Sequence, residues 1–443
     1  MRKILLLGAG KSSSTLIQYL YSHGEQENWL LRVGDVDADT AAARFPEYAS
    51  IEWFRLDANN IDLCRSEISQ SDLVISMLPA FMHTAIAGLC IELAKHLITP
   101  SYVSPEMQLL HADAVRKGVI FLNEMGLDPG IDHMSAMAIL DNIRERGGEM
   151  KSFESFTGGL VAPESDNNPW HYKISWNPRN IVMAGAGGSA KYLQNHRYNY
   201  IPYQHLFERT TPIDLGDDGV FEGYANRDSL KYRSVYGLDA IPSLIRGTLR
   251  KSPFCKAWNV LVNIGLTDES FEIEKPENLS WCDLLCAFTG QSDESSLKAY
   301  IIATYRVDDE VMSMLDWLGL FSDRKIGSKT CTPALALQWL LEEKWKLNPE
   351  DKDMVVMYHR FVYTLEGNTY EHIATLVDIG SDAIQTSMAR TVGLPVAIAA
   401  KMILNGKITT KGVLMPVQKE IYQPVLDELT SLGIRFTETL RVI

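Results

Sequence analysis

Cysteine is scarce in this sequence of 443 residues: Cys64, Cys90, Cys255, Cys282, Cys286 and Cys331 are scattered, and no two form a C-x-x-C pair. That excludes a disulfide framework and a paired-thiolate zinc site, and it predicts a reducing, cytoplasmic setting. Cationic charge is short as well: 42 Lys and Arg against 56 Asp and Glu leave a net charge of −14. No basic run is long enough to neutralise a phosphate backbone, so nucleic acid is not an expected partner. Long apolar runs are missing. The most apolar stretch, 392–404, is broken by Gly393, Pro395 and Lys401 and falls short of the roughly 20 residues that span a bilayer, so no membrane segment is expected. The opening apolar run, 4–7, stops at Gly8 and is expected as a first strand rather than a targeting segment. Low-complexity tracts and internal repeats are also lacking. What remains is a globular composition, 46% hydrophobic and 22% charged, long enough for two or three cores.

From Lys3 to about Glu124, short apolar segments (4–7, 30–33, 73–77, 97–99, 119–121) alternate with helix-length stretches. This alternation predicts βαβ units on a parallel sheet. A helix is expected to begin with Asp128 as N-cap and Pro129 in first position, and to end at Gly147-Gly148. Strand-like pieces follow at 152–157, 220–225 and 258–264, between loops rich in Asn, Gly, Pro and aromatics of the kind that serve binding. Residues 281–347, rich in Leu, Trp and charge, read as helical. Two strands at 354–365 and 370–379 are expected to form a hairpin around Glu366-Gly367-Asn368. A helix over about 383–405, a strand at 413–416, a helix at 424–432 and a terminal strand then return the chain to the first domain.

Gly8-Ala9-Gly10-Lys11-Ser12-Ser13 follows the first strand and opens a helix, and Asp35 ends the second strand. Glycines in such a turn let a pyrophosphate approach the unpaired amides at a helix N-terminus. Ser13 replaces the third glycine, and the same pair of glycines also occurs in plain βα turns. Asp57, after the third strand, faces either the adenine side or solvent. The next strand ends bring Ser76-Met77-Leu78-Pro79, Thr99-Pro100-Ser101-Tyr102 and 124–130 to the ligand side of the sheet. Tyr102 suits a proton donor and Asp128 an acceptor, with a packed aromatic and a helix cap as the alternatives. Further on, Trp176, Arg227, Arg246 and Arg250 lie among glycines and aromatics. As a set they suit a substrate with several carboxylates, although each alone reads equally as a surface residue. His133 and His171 are further acid/base candidates, each more readily structural. No metal-ligand spacing is present.

The blocks Gly126-Leu127-Asp128-Pro129-Gly130-Ile131-Asp132-His133, Gly158-Gly159-Leu160-Val161-Ala162-Pro163-Glu164-Ser165, Asn168-Pro169, Tyr172-Lys173-Ile174-Ser175-Trp176, Tyr224-Ala225-Asn226-Arg227-Asp228-Ser229 and Arg246-Gly247-Thr248-Leu249-Arg250 resemble the saccharopine reductase family, the glutamate-forming saccharopine dehydrogenases. They keep the family order through Arg250, and beyond it only the general layout matches. The resemblance implies an α/β protein in three parts. These are a variant Rossmann doubly wound domain (1–127 with about 410–443), a mixed α/β substrate-binding and dimerisation domain (128–280 with about 350–409), and a small helical subdomain (281–349). It implies a homodimer that interconverts saccharopine with glutamate and α-aminoadipate semialdehyde by hydride transfer through an imine.

By motif, Ser101, Tyr102, Asp128, Arg227, Thr248, Leu249 and Arg250 would line the saccharopine site, with Tyr102 and Asp128 nearest the chemistry. Gly8, Gly10, Lys11, Ser12, Asp35, Asp57, Met125, Gly126, Leu127 and Trp176 would touch the dinucleotide. Thr157 stands where fungal members carry a cysteine. Asp35 predicts NAD in preference to NADP, because its carboxylate would repel a 2′-phosphate and no arginine follows it before Arg44. Two other readings stay open: a related imine reductase such as carboxynorspermidine dehydrogenase, and a non-catalytic nucleotide-binding homologue.

Overall fold

The computed structural model describes residues 1–48, 50–184 and 188–443. They form two compact units: Met1–Glu149 with Asp378–Thr437, and Met150–Val377 with Glu438–Ile443.

The first unit holds a seven-stranded sheet in the order Gly412–Leu414, Ile120–Leu122, His96–Ile98, Leu73–Ser76, Arg2–Leu7, Trp29–Asp35, Glu52–Arg55, and every neighbour pair is parallel. Strands covered on both faces carry no polar alternation, which is why Leu73–Ser76 is buried at every position. The helix Ser14–Glu27 follows the first strand, and Ser387–Leu404 packs on its start. A Cβ on Gly393 would sit 2.9 Å from the Leu16 amide nitrogen, so only glycine allows that approach. Ser14 Oγ donates to the Ile384 carbonyl at 2.6 Å. Ser387–Leu404 is long and apolar enough to cross a membrane, but 78% of it is buried inside the protein.

The first unit reaches further than the expected breaks at 127 and about 410. Helix Ile131–Glu145 lies in it against helix Lys419–Ser431, with Tyr422 Oη donating to Asp141 Oδ2 at 2.7 Å. That helix also starts later than expected, and Asp128 is not its cap. The Gly126 amide donates to the Pro129 carbonyl at 2.9 Å and closes a turn, Gly130 takes φ +149°, and the Asp132 side chain accepts from the Gly130 amide. The first helical amides, of Ile131 and Asp132, donate to the Gly126 and Leu127 carbonyls, so the helix start is met without the Asp128 side chain.

The second unit holds a mixed sheet in the order Thr210–Asp214, Val220–Ala225, Ser243–Arg250, Glu149–Val161, Asp353–Leu365, Asn368–Ile379, Thr437–Val442, with a side hairpin Ala190–Gln194 and Arg197–Ile201. The terminal strand therefore belongs to this sheet and not to the first domain. Glu366 (φ +50°) and Gly367 (φ +84°) make the turn of the long hairpin, one residue earlier than the expected Gly-Asn pair.

The segment expected as a strand at 258–264 is instead the end of helix Phe254–Ile264. Phe254, Trp258 and Leu261 recur at helical spacing on its buried face, and Gly265 ends it at φ +104°. The expected helices form at Trp281–Thr289, Glu294–Tyr305, Asp309–Leu318 and Pro333–Lys344. They share one apolar core with Trp170, Tyr172, Phe254 and Trp258, so 281–349 is not a body apart from the rest of the unit.

Candidate functional site

In the first unit the glycine turn divides its labour. Gly8 has φ +90°, and a Cβ there would come 3.2 Å from the Met77 carbonyl group, so backbone shape and neighbouring strand both require glycine. Gly10 has an ordinary φ of −69° and open space around its missing Cβ, the arrangement expected where a ligand rather than the protein comes close. Lys11, Ser12 and Ser13 form the short turn that leads into the helix, and Ser13 Oγ donates to the Gly10 carbonyl at 2.7 Å. Asp35 is committed inward: Oδ2 accepts from the Ala9 amide at 2.7 Å and Oδ1 from the Asp37 amide at 2.9 Å. Asp57 is exposed and accepts from the Asn59 backbone and side-chain amides, each at 2.9 Å, so it shapes its own turn.

At the carboxyl ends of the strands the structure brings Tyr102 and Asp128 together, with Tyr102 Oη donating to Asp128 Oδ1 at 2.9 Å. Two backbone bonds set that distance, Glu124 N–H to the Ser101 carbonyl and Met125 N–H to the Thr99 carbonyl. Met125, Gly126 and Leu127 are buried in the connecting loop. Beneath it Glu124, at φ +58°, accepts from the Val103 amide at 2.9 Å and meets His133 Nε2 at 2.8 Å, with both side chains fully buried. His133 is thus part of the support for this loop.

In the second unit the strand register places Thr248 beside Thr157 and Tyr224, and Arg250 beside Glu222, all on one face of the sheet. Arg250 is 4% exposed, its Nη1 donates to the Leu249 carbonyl, and its guanidinium lies 5.1 Å from the Tyr172 ring and 5.4 Å from the Phe254 ring. Its Nε and the Thr157 hydroxyl are buried without a hydrogen-bond partner among the described residues. A buried cation with a spare donor, ringed by aromatics, suits a carboxylate ligand. Burial pushes the Tyr224 hydroxyl up to about 12, so it stays protonated there.

Leu249 points the other way, into the apolar cluster with Phe156 and Val356, and only its backbone shares this face. Arg227 is exposed at φ +48° and Trp176 half-buried, with Trp176 Nε1 donating to Tyr172 Oη at 3.1 Å. Arg246 is held over the Tyr232 ring at 4.5 Å. Among the described residues no three His, Cys, Asp or Glu side chains gather as a metal ion would need.

Comparison with known proteins bears on these features. A family model described as "Saccharopine dehydrogenase NADP binding domain" matches residues 4–122, and one for the "Saccharopine dehydrogenase C-terminal domain" matches 126–434. This chain belongs to the saccharopine dehydrogenase family. The Schizosaccharomyces pombe saccharopine dehydrogenase [NADP(+), L-glutamate-forming] is 34% identical over 99% of both chains. The apo Saccharomyces cerevisiae enzyme, L-Glu forming, superposes with a TM-score of 0.88 at 32% identity over 100% of both chains. The mitochondrial alpha-aminoadipic semialdehyde synthase of Rattus norvegicus is 35% identical over 98% of this chain, and this chain spans about half (47%) of that relative's length. A Legionella pneumophila homospermidine synthase shares the fold alone, at 10% identity and a TM-score of 0.53.

The expected preference for NAD over NADP is overturned by the family's NADP binding domain and by the NADP(+) in the relatives' names. The side chains give the physical reason. Both oxygens of Asp35 are already bonded to backbone amides. Arg44, expected to be too far along the chain, donates through Nη2 to the Ala9 carbonyl and stands close enough to feel Asp35, so the turn is not a bare negative site.

Arg44 was set aside in the sequence because only its distance from Asp35 along the chain was visible, and His83 was not singled out there. His83 follows Leu78-Pro79 on the ligand side of the sheet, and that position was the available signal.

Proposed function

We propose that this protein interconverts saccharopine with L-glutamate and α-aminoadipate semialdehyde, using NADP. The observation that carries the reading is Arg250: a buried guanidinium beside Thr248 and Thr157, with a donor to spare, supplies a fork for a carboxylate of a multiply anionic amino acid. The bound dinucleotide would accept or supply the hydride. The chain's own part is positioning. The Gly8–Ser13 turn offers backbone amides and space to a pyrophosphate, Arg250 and Thr248 hold a carboxylate, and Tyr102 holds a proton toward Asp128 Oδ1. An imine is already electron-poor when protonated, so no stronger acid or metal is required of these residues.

The test is saccharopine-dependent formation of reduced dinucleotide by the purified protein. The expected result is turnover with kcat/KM for NADP above that for NAD by about tenfold, a difference of about 1.4 kcal/mol. No turnover with either dinucleotide would sink the substrate assignment, and equal use of both would sink the cofactor assignment.

A further inference from the structure

Ser76, His83 and Thr99 form a buried polar cluster in the first unit that the reading above does not use, in contact with the half-buried Ser101. Ser76 ends one strand and is fully buried, Thr99 follows the next strand at 1% exposure, and His83 opens helix His83–Glu92 at 3% exposure. His83 Nδ1 lies 2.9 Å from Ser76 Oγ, and Nε2 lies 2.8 Å from Ser101 Oγ and 3.0 Å from Thr99 Oγ1. The Ser101 amide also donates to Thr99 Oγ1, at 3.2 Å. Nothing charged appears among these partners, and burial pushes the imidazole down to about 4, so it is neutral at physiological pH. A neutral imidazole has one donor and one acceptor nitrogen.

We propose that His83 is a positioning residue for substrate, acting through the Ser101 hydroxyl; this rests on the reading of Ser101 as a saccharopine contact. In the Nε2–H tautomer, with Ser76 donating to Nδ1, the ring proton is shared between Ser101 Oγ and Thr99 Oγ1, which leaves the Ser101 hydroxyl proton to point away from the cluster toward a substrate oxygen. An unheld serine hydroxyl would sample all its rotamers. The relay also fixes the strand-end segment that Glu124 and Met125 bond to, next to Tyr102.

The two ring nitrogens allow a test by side-chain length. In His83→Gln the amide reaches roughly to the Nε2 position and keeps the Ser101 contact. In His83→Asn the amide matches Nδ1, keeping Ser76 and losing Ser101. Expected for His83→Asn is a rise in KM for saccharopine of about tenfold, a dinucleotide KM changed by less than about twofold, and restoration by His83→Gln to within about threefold. Ser101→Ala is expected to match His83→Asn, and the double variant to be no worse than Ser101→Ala alone. Multiplying effects in the double variant, equal losses for both ligands, or identical behaviour of Gln and Asn would overturn the proposal. Should His83→Asn not fold, Ser76→Ala paired with Ser101→Ala carries the same test, because it frees the tautomer and leaves the ring in place. Absence of saccharopine turnover in the unaltered protein would overturn the functional reading and this inference with it, whereas turnover with multiplying effects overturns the inference alone.

Discussion

In the proposed function the two units hold charged ligand groups by different means. The first unit works through backbone. Asp35 is spent on the Ala9 and Asp37 amides, the turn needs Gly8 for its shape, and Gly10 leaves open space around its missing Cβ. The second works through side chains that meet from segments far apart in sequence: Arg250 with Tyr172, Thr157 with Thr248, and Lys173 with Asp351, a buried pair at 2.6 Å between residues 178 positions apart. A backbone site tolerates most side-chain changes and fails when a glycine is lost. A side-chain site fails when a single charged partner is removed, even where the sheet beneath it also needs its glycines, as this one needs Gly158 and Gly247.

The sharpest way to break this comparison is to remove one charged partner in each unit. Lys173→Met should cost about 3 kcal/mol in urea unfolding, because Asp351 is left as a buried carboxylate with the Asn348 amide but no cation beside it. Asp35→Asn, which keeps one oxygen for one of the two backbone amides and sets an NH2 against the other, should cost less, about 1 to 2 kcal/mol. The Lys173 effect should also depend on pH. Burial alone would raise the Asp351 carboxyl, but the Lys173 ammonium and the Asn348 amide outweigh it and hold it below its ordinary value. A carboxyl lowered in the folded state contributes stability that is complete above its unfolded pKa of about 4 and is lost as pH falls through the lowered value. The gap between wild type and Lys173→Met should therefore narrow in acid and be constant from pH 6 to 8; a gap that widens in acid would refute the assignment.

Arg250→Ala should separate binding from folding. Its expected mark is a KM for saccharopine raised roughly thirtyfold, about 2 kcal/mol, with the dinucleotide KM unchanged. Arg227→Ala, at an exposed position, should change the same constant by less than about threefold. Equal effects of the two would show that burial of Arg250 is not what makes it a fork.

The smallest effects should distinguish the two glycines. Gly8→Ala should lower stability by about 1.5 kcal/mol, because its φ of +90° strains any side chain. Gly10→Ala should leave the melting temperature in place and weaken dinucleotide binding, read by titration of nucleotide fluorescence. Loss of stability in both would mean that Gly10 serves the fold rather than the ligand.

This contrast also explains what the sequence made legible. The parallel sheet was readable because its buried strands are unbroken apolar runs and its ligand turn is a local glycine pattern. The face carrying Thr157, Thr248 and Arg250 has no local pattern, since its members come from separate strands; Arg250 stood out among the arginines, and only the resemblance of whole blocks pointed to Thr248. Helix 254–264 was misread because Val260 and Val262 suggest a strand, whereas burial of Phe254, Trp258 and Leu261 decides the period. Asp128 was misplaced as a cap because spacing cannot show that Asp132 already holds the Gly130 amide. The fate of Asp35 likewise turned on amides at Ala9 and Asp37, which no reading of side-chain types reveals.

The seating of Ser387–Leu404 on the start of helix Ser14–Glu27 has a consequence for biosynthesis. Ser14 and its partner Ile384 are 370 positions apart, so a ribosome adding about 5 to 20 residues per second finishes the glycine turn tens of seconds before the helix that covers it exists. During that interval the newborn first unit carries an uncovered apolar flank next to its nucleotide turn, a surface that chaperones recognise. Dinucleotide added to a translation reaction stalled before residue 387 should therefore protect the turn poorly from proteolysis, and release of the full chain should restore that protection.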